Sequence, residues 1–297
     1  MPARWFICPN GDRVEIADCL NQCTNTTGRC LFLPTLRAIA ASLERPIHGY
    51  TVTQLISGTR EAYLKQTADY AVDPQDRVFA LHGSAMHSVL ERHCYGTMLS
   101  EQRLYGYPCS GQIDVYGEIL GDDYVLGDVK VSSSFKVSRA LSYYQVTVPT
   151  DDVYKSGARK GQVKTVKERR SGGLRHITDW AVQLNYYRIL LEEHGRPVDR
   201  MVIQAICRDY GLQIANQRNI DKPVHLIEVN SISDRWIQRY LKRKAADLTE
   251  ALSSGILPPP CKPRERWGDR KCTGYCDVAF ACDHARSLTA SNEQIAA

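Results

Sequence analysis

Eight of the eleven cysteines stand in two groups at opposite ends of the chain, and this narrows the folds open to it. Cys8, Cys19, Cys23 and Cys30 follow C-x10-C-x3-C-x6-C, while Cys261, Cys272, Cys276 and Cys282 follow C-x10-C-x3-C-x5-C. Beyond spacing the two stretches share no sequence, so they are not a repeat. The first residues carry no secretory apolar core, and no uncharged apolar run approaches the roughly eighteen residues of a membrane span. A cytoplasmic protein with no membrane partner is expected. Thiols stay reduced there, so an odd number of cysteines, mostly clustered, points to metal sites rather than disulfides. The chain therefore divides into an N-terminal four-cysteine metal-binding segment (1–34), a core (35–254) and a C-terminal four-cysteine clamp with its tail (255–297).

At 297 residues, 43% hydrophobic and 24% charged, the chain is globular in composition, and its net charge of +5 permits nucleic acid without demanding it. The core pattern is mixed α and β. Apolar spacing predicts helices over Leu36–Leu43, Thr53–Tyr63, Pro74–Tyr95, Ile177–Glu193 and Ser233–Ser253. The third is expected to bury Phe79, Met86, Val89 and Leu90. Alternation predicts strands over Gln112–Ile119 and Tyr124–Val131, joined at Gly121-Asp122-Asp123, and further strands over Arg200–Arg208 and Val224–Val229. Residues 150–175 are basic without apolar periodicity and read as a loop. Cys94, Cys109 and Cys207 are isolated and read as ordinary small residues.

The predicted hairpin carries the chemistry. One arm holds Gly111-Gln112-Ile113-Asp114 and the other Asp128-Val129-Lys130. Residues i and i+2 on a strand share a face, so Asp128 and Lys130 project together while Asp114 approaches from the neighbouring strand. Two carboxylates suit a hard divalent cation, Mg2+ or Mn2+, that neutralises phosphate charge and acidifies water. A lysine beside them orients that water or stabilises the transition state. By itself D-x-K is a common hairpin triplet. Upstream, His87 and Glu91 share a helical face, and downstream Gln183 and Tyr187 do the same. A glutamine amide and a tyrosine ring are suited to hydrogen bonding and stacking on a nucleotide.

The order G-x3-H (Gly83–His87), G-x2-D (Gly111–Asp114), D-x-K (Asp128–Lys130), Q-x3-Y (Gln183–Tyr187) resembles the RecB-like branch of the PD-(D/E)xK nucleases. That branch includes the RecB and AddB nuclease domains and the CRISPR-associated RecB-like exonucleases. The resemblance spans roughly residues 50–284. It implies an α/β restriction-endonuclease-like core, a mixed sheet flanked by helices, with cysteine-rich metal sites at both termini. It implies a metal held by His87, Asp114, Asp128 and the carbonyl of Val129, with Lys130 catalytic and Gln183 and Tyr187 near the DNA end. Glu91 matches no essential family position. Ile113 stands where the family name has proline.

Iron–sulfur members of the branch close the domain with a C-terminal cysteine run like Cys272-x3-Cys276-x5-Cys282. Their fourth cysteine often lies in the helix before the histidine motif, and Thr53–Tyr63 has none. Cys261 is the nearest substitute, and a cysteine of the N-terminal group is the alternative. Four thiolates suit either a [4Fe–4S] cluster or zinc; the resemblance implies the cluster at Cys261, Cys272, Cys276 and Cys282. Cys8, Cys19, Cys23 and Cys30 fit a structural zinc or a second cluster.

Between Lys155 and Arg175 lie Lys155, Arg159, Lys160, Lys164, Lys167, Arg169, Arg170 and Arg175 against Glu168 alone, a local balance of +7. Such a run is usually a solvated loop. Between the hairpin and the Q-x3-Y helix it is placed to track a phosphate backbone, with Tyr143, Tyr144 and Tyr154 nearby as bases' partners or as core. The expected activity is a divalent-metal-dependent DNase, an exonuclease on single-stranded DNA or DNA ends, working in repair, recombination, or phage or CRISPR DNA processing. With no phosphate loop in the sequence, unwinding falls to a helicase or to a recombination or adaptation partner. Two other classes compete: a non-catalytic DNA-binding module of the same fold, and a zinc-stabilised interaction protein.

Overall fold

The computed structural model describes residues 3–23, 25, 28–44, 49–174 and 176–296. At the N-terminal end β1 (Trp5–Ile7) pairs antiparallel with β2 (Arg13–Glu15), and helices α1 (Ile16–Asn21) and α2 (Leu33–Leu43) follow. Where one helix over Thr53–Tyr63 is expected, two form: α3 (Val52–Ile56) and α4 (Thr59–Thr67). Ser57 and Gly58 between them are extended. The reason is a close approach, since a Cβ on Gly58 would lie 2.1 Å from the Cys261 sulfur. A side chain there would collide with the C-terminal segment.

A short β3 (Ala71–Val72) joins β1 in parallel, and Asp73 caps α5 (Pro74–Glu91) by accepting from the Gln75 amide at 2.8 Å. This helix ends before the expected Tyr95, and its inward face is not the expected one. Phe79 and Val89 are exposed, Phe79 under the Arg208 guanidinium, while Val78 and Leu81 pack on the core.

Strands β4 (Leu99–Ser100), β5 (Arg103–Leu104), β6 (Gly111–Gln112), β7 (Val115–Gly117) and β8 (Val125–Ser132) come next, followed by α6 (Ser134–Leu141). The predicted strand over Gln112–Ile119 is thus two strands in different sheets. The break is at Ile113 and Asp114. Ile113 is fully buried, its amide donating to the Gln102 carbonyl at 3.0 Å, and the Asp114 carbonyl accepts from the Ser100 hydroxyl at 2.9 Å. The expected hairpin survives as the antiparallel pairing of β7 with β8.

The segment read as a basic loop is instead an antiparallel ribbon of β9 (Tyr144–Val153) and β10 (Val163–Arg170). After it come α7 (Thr178–Glu193), β11 (Arg200–Cys207), α8 (Gln213–Gln217), β12 (Val224–Glu228), α9 (Asp234–Ser254), α10 (Arg270–Gly274) and α11 (Asp283–Ala296).

The central sheet is mixed and five-stranded, in the order β12-β11-β8-β7-β4, with β8 parallel to β11 and the other pairs antiparallel. Lying in mid-sheet and covered by helices, β8 is buried from Val125 to Val129. Helix α7 buries most of its length, and full burial of Leu184, Leu190 and Leu191 stabilises by about 1.5–3 kcal/mol each. Within it Asn185 is buried but satisfied, donating to the Ala181 and Asn230 carbonyls and accepting from the Ile232 amide. That anchors the turn into α9. Among the described residues no helix is long and apolar enough to cross a membrane.

Candidate active site

The i, i+2 geometry of a strand sets the first pair. Asp128 and Lys130 leave β8 on one face, and the Lys130 ammonium sits 2.8 Å from both Asp128 oxygens. Asp128 is 2% exposed, and its Oδ2 has no well-directed hydrogen bond despite that close nitrogen. A carboxylate this buried is costly unless paired, and Lys130 supplies the pairing for this oxygen.

Asp114 reaches the same place from the bend between β6 and β7. Its Oδ2 accepts from the Val129 amide at 2.7 Å, and its Oδ1 lies 3.6 Å from His87 Nδ1. On an extended strand the N–H and C=O of one residue leave on the same side, so the Val129 carbonyl also faces the Asp114 edge. His87, one turn from the end of α5, is 2.7 Å from Glu101 Oε1, and Glu101 Oε2 accepts from Gln112 Nε2 at 2.7 Å. Gln112 Oε1 in turn accepts from Arg103 at 2.7 Å.

Glu101 is not among the residues the sequence singles out. It sits between β4 and β5 at φ +51, a left-handed conformation that a glutamate adopts only when its surroundings impose it. No motif surrounds it, and only pairing with Gln112 reveals it. His87, Glu101 and Asp114 bring one ligand atom each within 4.8 Å of one another. The ligand set implied by resemblance was His87, Asp114, Asp128 and Val129. The structure gathers the first two with Glu101, while Asp128 stands beside Lys130 and close enough to Asp114 for its charge to be felt. His87 Nδ1 bonds Glu101 rather than Glu91, its neighbour on the helix face.

The electrostatics follow from crowding. Burial, then the nearby Asp128 charge, pushes Asp114 up to about 7. His87 is raised chiefly by its hydrogen bond to Glu101, against burial and with help from Asp114. Burial pulls Lys130 down, but the Asp128 and Asp114 carboxylates outweigh it and hold the amine protonated. Negative charge in excess of one ammonium, with oxygen and imidazole donors converging, is the chemistry of a hard divalent cation.

The Q-x3-Y pair is close by. Gln183 donates to the Tyr187 hydroxyl at 2.9 Å, and burial pushes that phenol up to about 12. The ring lies so close to Gly111 that a Cβ there would be 2.5 Å from it. This gives the glycine of G-x2-D its physical role. With Tyr187 only 3% exposed, its ring is packed inside rather than offered to a base, which corrects the stacking expected of it.

At the C-terminus, Cys261 rests on Gly58 and accepts from the Glu61 amide, and Cys272 feels the charges of Cys261 and Cys282. Cys276 is pushed up to about 11 by burial and by Glu61. Cys272 also lies within 4.8 Å of Asp269 and His284. Ion pairs lock this segment to α4, through Lys271 to Glu61 at 2.5 Å, Lys65 to Asp277 at 3.3 Å and Arg60 to Asp283, and to α5, through Arg77 to Asp277. Buried Lys244 of α9 holds Glu265 at 2.8 Å. In the N-terminal group, Cys19 feels Cys8, Cys30 and Cys23, so the four thiols lie near one another.

The basic residues are on the ribbon, whose strands alternate Val146, Val148 and Val166 with polar residues. Lys164 meets Asp152 at 3.6 Å, Arg169 meets Asp221 at 2.8 Å and Arg170 meets Glu168 at 3.5 Å. Lys155, Arg159, Lys160 and Lys167 have no carboxylate partner within 4 Å among the described residues. Arg175 lies outside the described residues. Arg169 covers the Tyr143 ring and Arg159 that of Tyr154.

No family model and no curated protein matches the chain. Among solved structures the chain is similar to the crystal structure of SSO0001, with 15% identity and a TM-score of 0.47, covering 84% of this chain and 94% of that one.

Proposed function

We propose that the chain is a divalent-metal-dependent deoxyribonuclease with a restriction-endonuclease-like core, an exonuclease on single-stranded DNA or DNA ends. The observation that carries this is the convergence of Asp114, Asp128 and Lys130 in one buried cluster, with Lys130 ion-paired to both Asp128 oxygens. The order of the four motifs, each now in contact with that cluster or beside it, supports the same reading.

His87, Glu101, Asp114 and Asp128 would hold Mg2+ or Mn2+. When bound, such an ion neutralises charge on the phosphate and lowers the pKa of water. The protein's own groups do the rest. The Lys130 ammonium, kept protonated by Asp128, donates toward the attacking water and the non-bridging phosphate oxygens as negative charge builds there. Water oxygen bonds to phosphorus and gives up a proton to solvent, one ester P–O bond breaks, and the departing oxygen takes a proton from solvent. Glu101 orients the His87 imidazole, itself fixed by Gln112. Gln183 and Tyr187 wall the cluster.

A [4Fe–4S] cluster at Cys261, Cys272, Cys276 and Cys282 fits the thiol set, the amide donated to Cys261 and the cradle that Gly58 leaves. Zinc at Cys8, Cys19, Cys23 and Cys30 is assigned from four thiols within one short stretch of chain. Both are structural in this reading. The unpaired cations of the ribbon contact phosphates, and a helicase or recombination partner supplies unwinding in the cytoplasm.

The test is anaerobically purified protein with end-labelled single-stranded DNA and Mn2+, beside Lys130→Ala. Degradation by the wild type alone is expected. Equal cutting by both would remove Lys130 from the chemistry and overturn this site, and no cutting by either while both bind DNA would replace the nuclease with a binding module.

A further inference from the structure

The outer face of α9 is built in a way that its packing does not explain. Ile237, Leu241, Lys244, Ala245 and Leu248 turn inward and are buried. Opposite them Arg235, Arg239 and Arg243 follow at i, i+4, i+8 and are all exposed. Like charges at this spacing cost helix stability, and Arg235 adds a cation to the first turn, where the helix dipole disfavours it. Neither these arginines nor Lys242 come within 4 Å of a carboxylate among the described residues. The nearest acid in the first turn, Asp234, is held by Arg188, and Asp247 lies a turn beyond Arg243.

Aromatic rings flank this charged ridge on both sides. Trp236, 46% exposed, stacks on Tyr240 with planes 2° apart and centroids at 5.3 Å. On the other side Lys242 covers the ring of Tyr107, which is 78% exposed, with Tyr105 beside it in sequence at 66%. A merely solvated helix face has no need of large exposed rings in register with its cations.

We propose that this face of α9, with the 105–107 loop, binds single-stranded nucleic acid. Arginines at one-turn intervals meet successive phosphates, and the flanking rings take unstacked bases. An acidic peptide would match the charge but leave the rings unused. The Tyr107 loop is continuous in sequence with Gly111 and Asp114. The surface is independent of the chemistry at Lys130.

Binding of a labelled oligodeoxythymidylate is measured by anisotropy in EDTA, where no cleavage occurs, across a salt series. Arg235→Ala/Arg239→Ala/Arg243→Ala should weaken binding by about tenfold or more, and should flatten the log–log salt slope by about 2, at roughly 0.7 per phosphate contact. Trp236→Ala should weaken single-strand binding and spare duplex binding. Circular dichroism of each variant checks that α9 is intact. Unchanged affinity and slope in a folded triple variant would overturn the proposal. So would equal loss on duplex and single strand with no effect of Trp236→Ala, which would mark a duplex phosphate contact instead. A wild type that binds through α9 but never cuts would remove the nuclease reading and leave this one standing.

Discussion

The cluster on β8 and the cysteine segment that follows α9 are both candidate metal sites, yet they are built by opposite means. In the first, side chains are aimed by backbone: the Val129 amide fixes Asp114, and strand alternation pairs Asp128 with Lys130. In the second, a stretch of turns and short helices is pinned to α4, α5 and α9 by long-range ion pairs around four thiols. A site aimed by a sheet is preorganised before its ion arrives. A site made of loops takes much of its folding free energy from what the thiols hold. The cation of the first should therefore govern rate, and the metal of the second stability.

Lys130→Ala separates the two sites most strongly. Cleavage should fall about 10²–10³-fold in single-turnover assays, while melting in Mn2+ stays within a few degrees of wild type. A large loss of stability in Mn2+ would mean that the β8 cluster is structural as well. Next in size, Cys272→Ser should cost about 3 kcal/mol, seen as a fall in Tm of roughly 6–12 °C, with Mn2+ affinity at the other site unchanged. Loss of Mn2+ affinity in the still-folded variant would show the two sites to be one system. Glu101→Gln should weaken Mn2+ binding by about 10–100-fold in calorimetry, since it removes the charge that orients His87. No change would return Glu101 to a purely structural part.

The least of these effects is a pH dependence. Because Asp114 is raised to about 7 from the ordinary 3.8, the metal-free folded protein holds a proton there that the unfolded chain has already lost. Its contribution to stability is full below pH about 4 and disappears as pH rises through about 7. Mn2+ must displace that proton, so its affinity should rise about tenfold per pH unit up to about 7 and then level. Asp114→Asn should bind Mn2+ weakly with no such slope; a slope that persists would assign the proton elsewhere.

Much of this is legible in the sequence because it rests on local periodicity. The helix over 178–193, the central strands and the face shared by Asp128 and Lys130 all follow from spacing. What escapes depends on contacts distant in sequence. The break at Gly58 exists because Cys261 approaches it, and Glu101 enters the site only through Gln112 and His87. The ribbon is hidden because its second strand reads as a charge run until Val163 and Val166 are set opposite Val153 and Val148. Phe79 and Val89 mislead because an apolar residue on a helix can sit beneath a cation or in solvent as well as in a core.

The ribbon is also separable from the rest of the chain. Tyr144 and Arg170 pair directly across its base, so the chain leaves the core and returns at almost the same point. The base is closed independently, by the Gly172 amide on the Leu141 carbonyl at 3.1 Å and by Arg169 on Asp221. A short turn joining Tyr143 to Ser171 would span the gap without disturbing sheet order. Residues 144–170 are thus topologically an insertion, whose removal would leave the order and register of the sheet beneath unchanged.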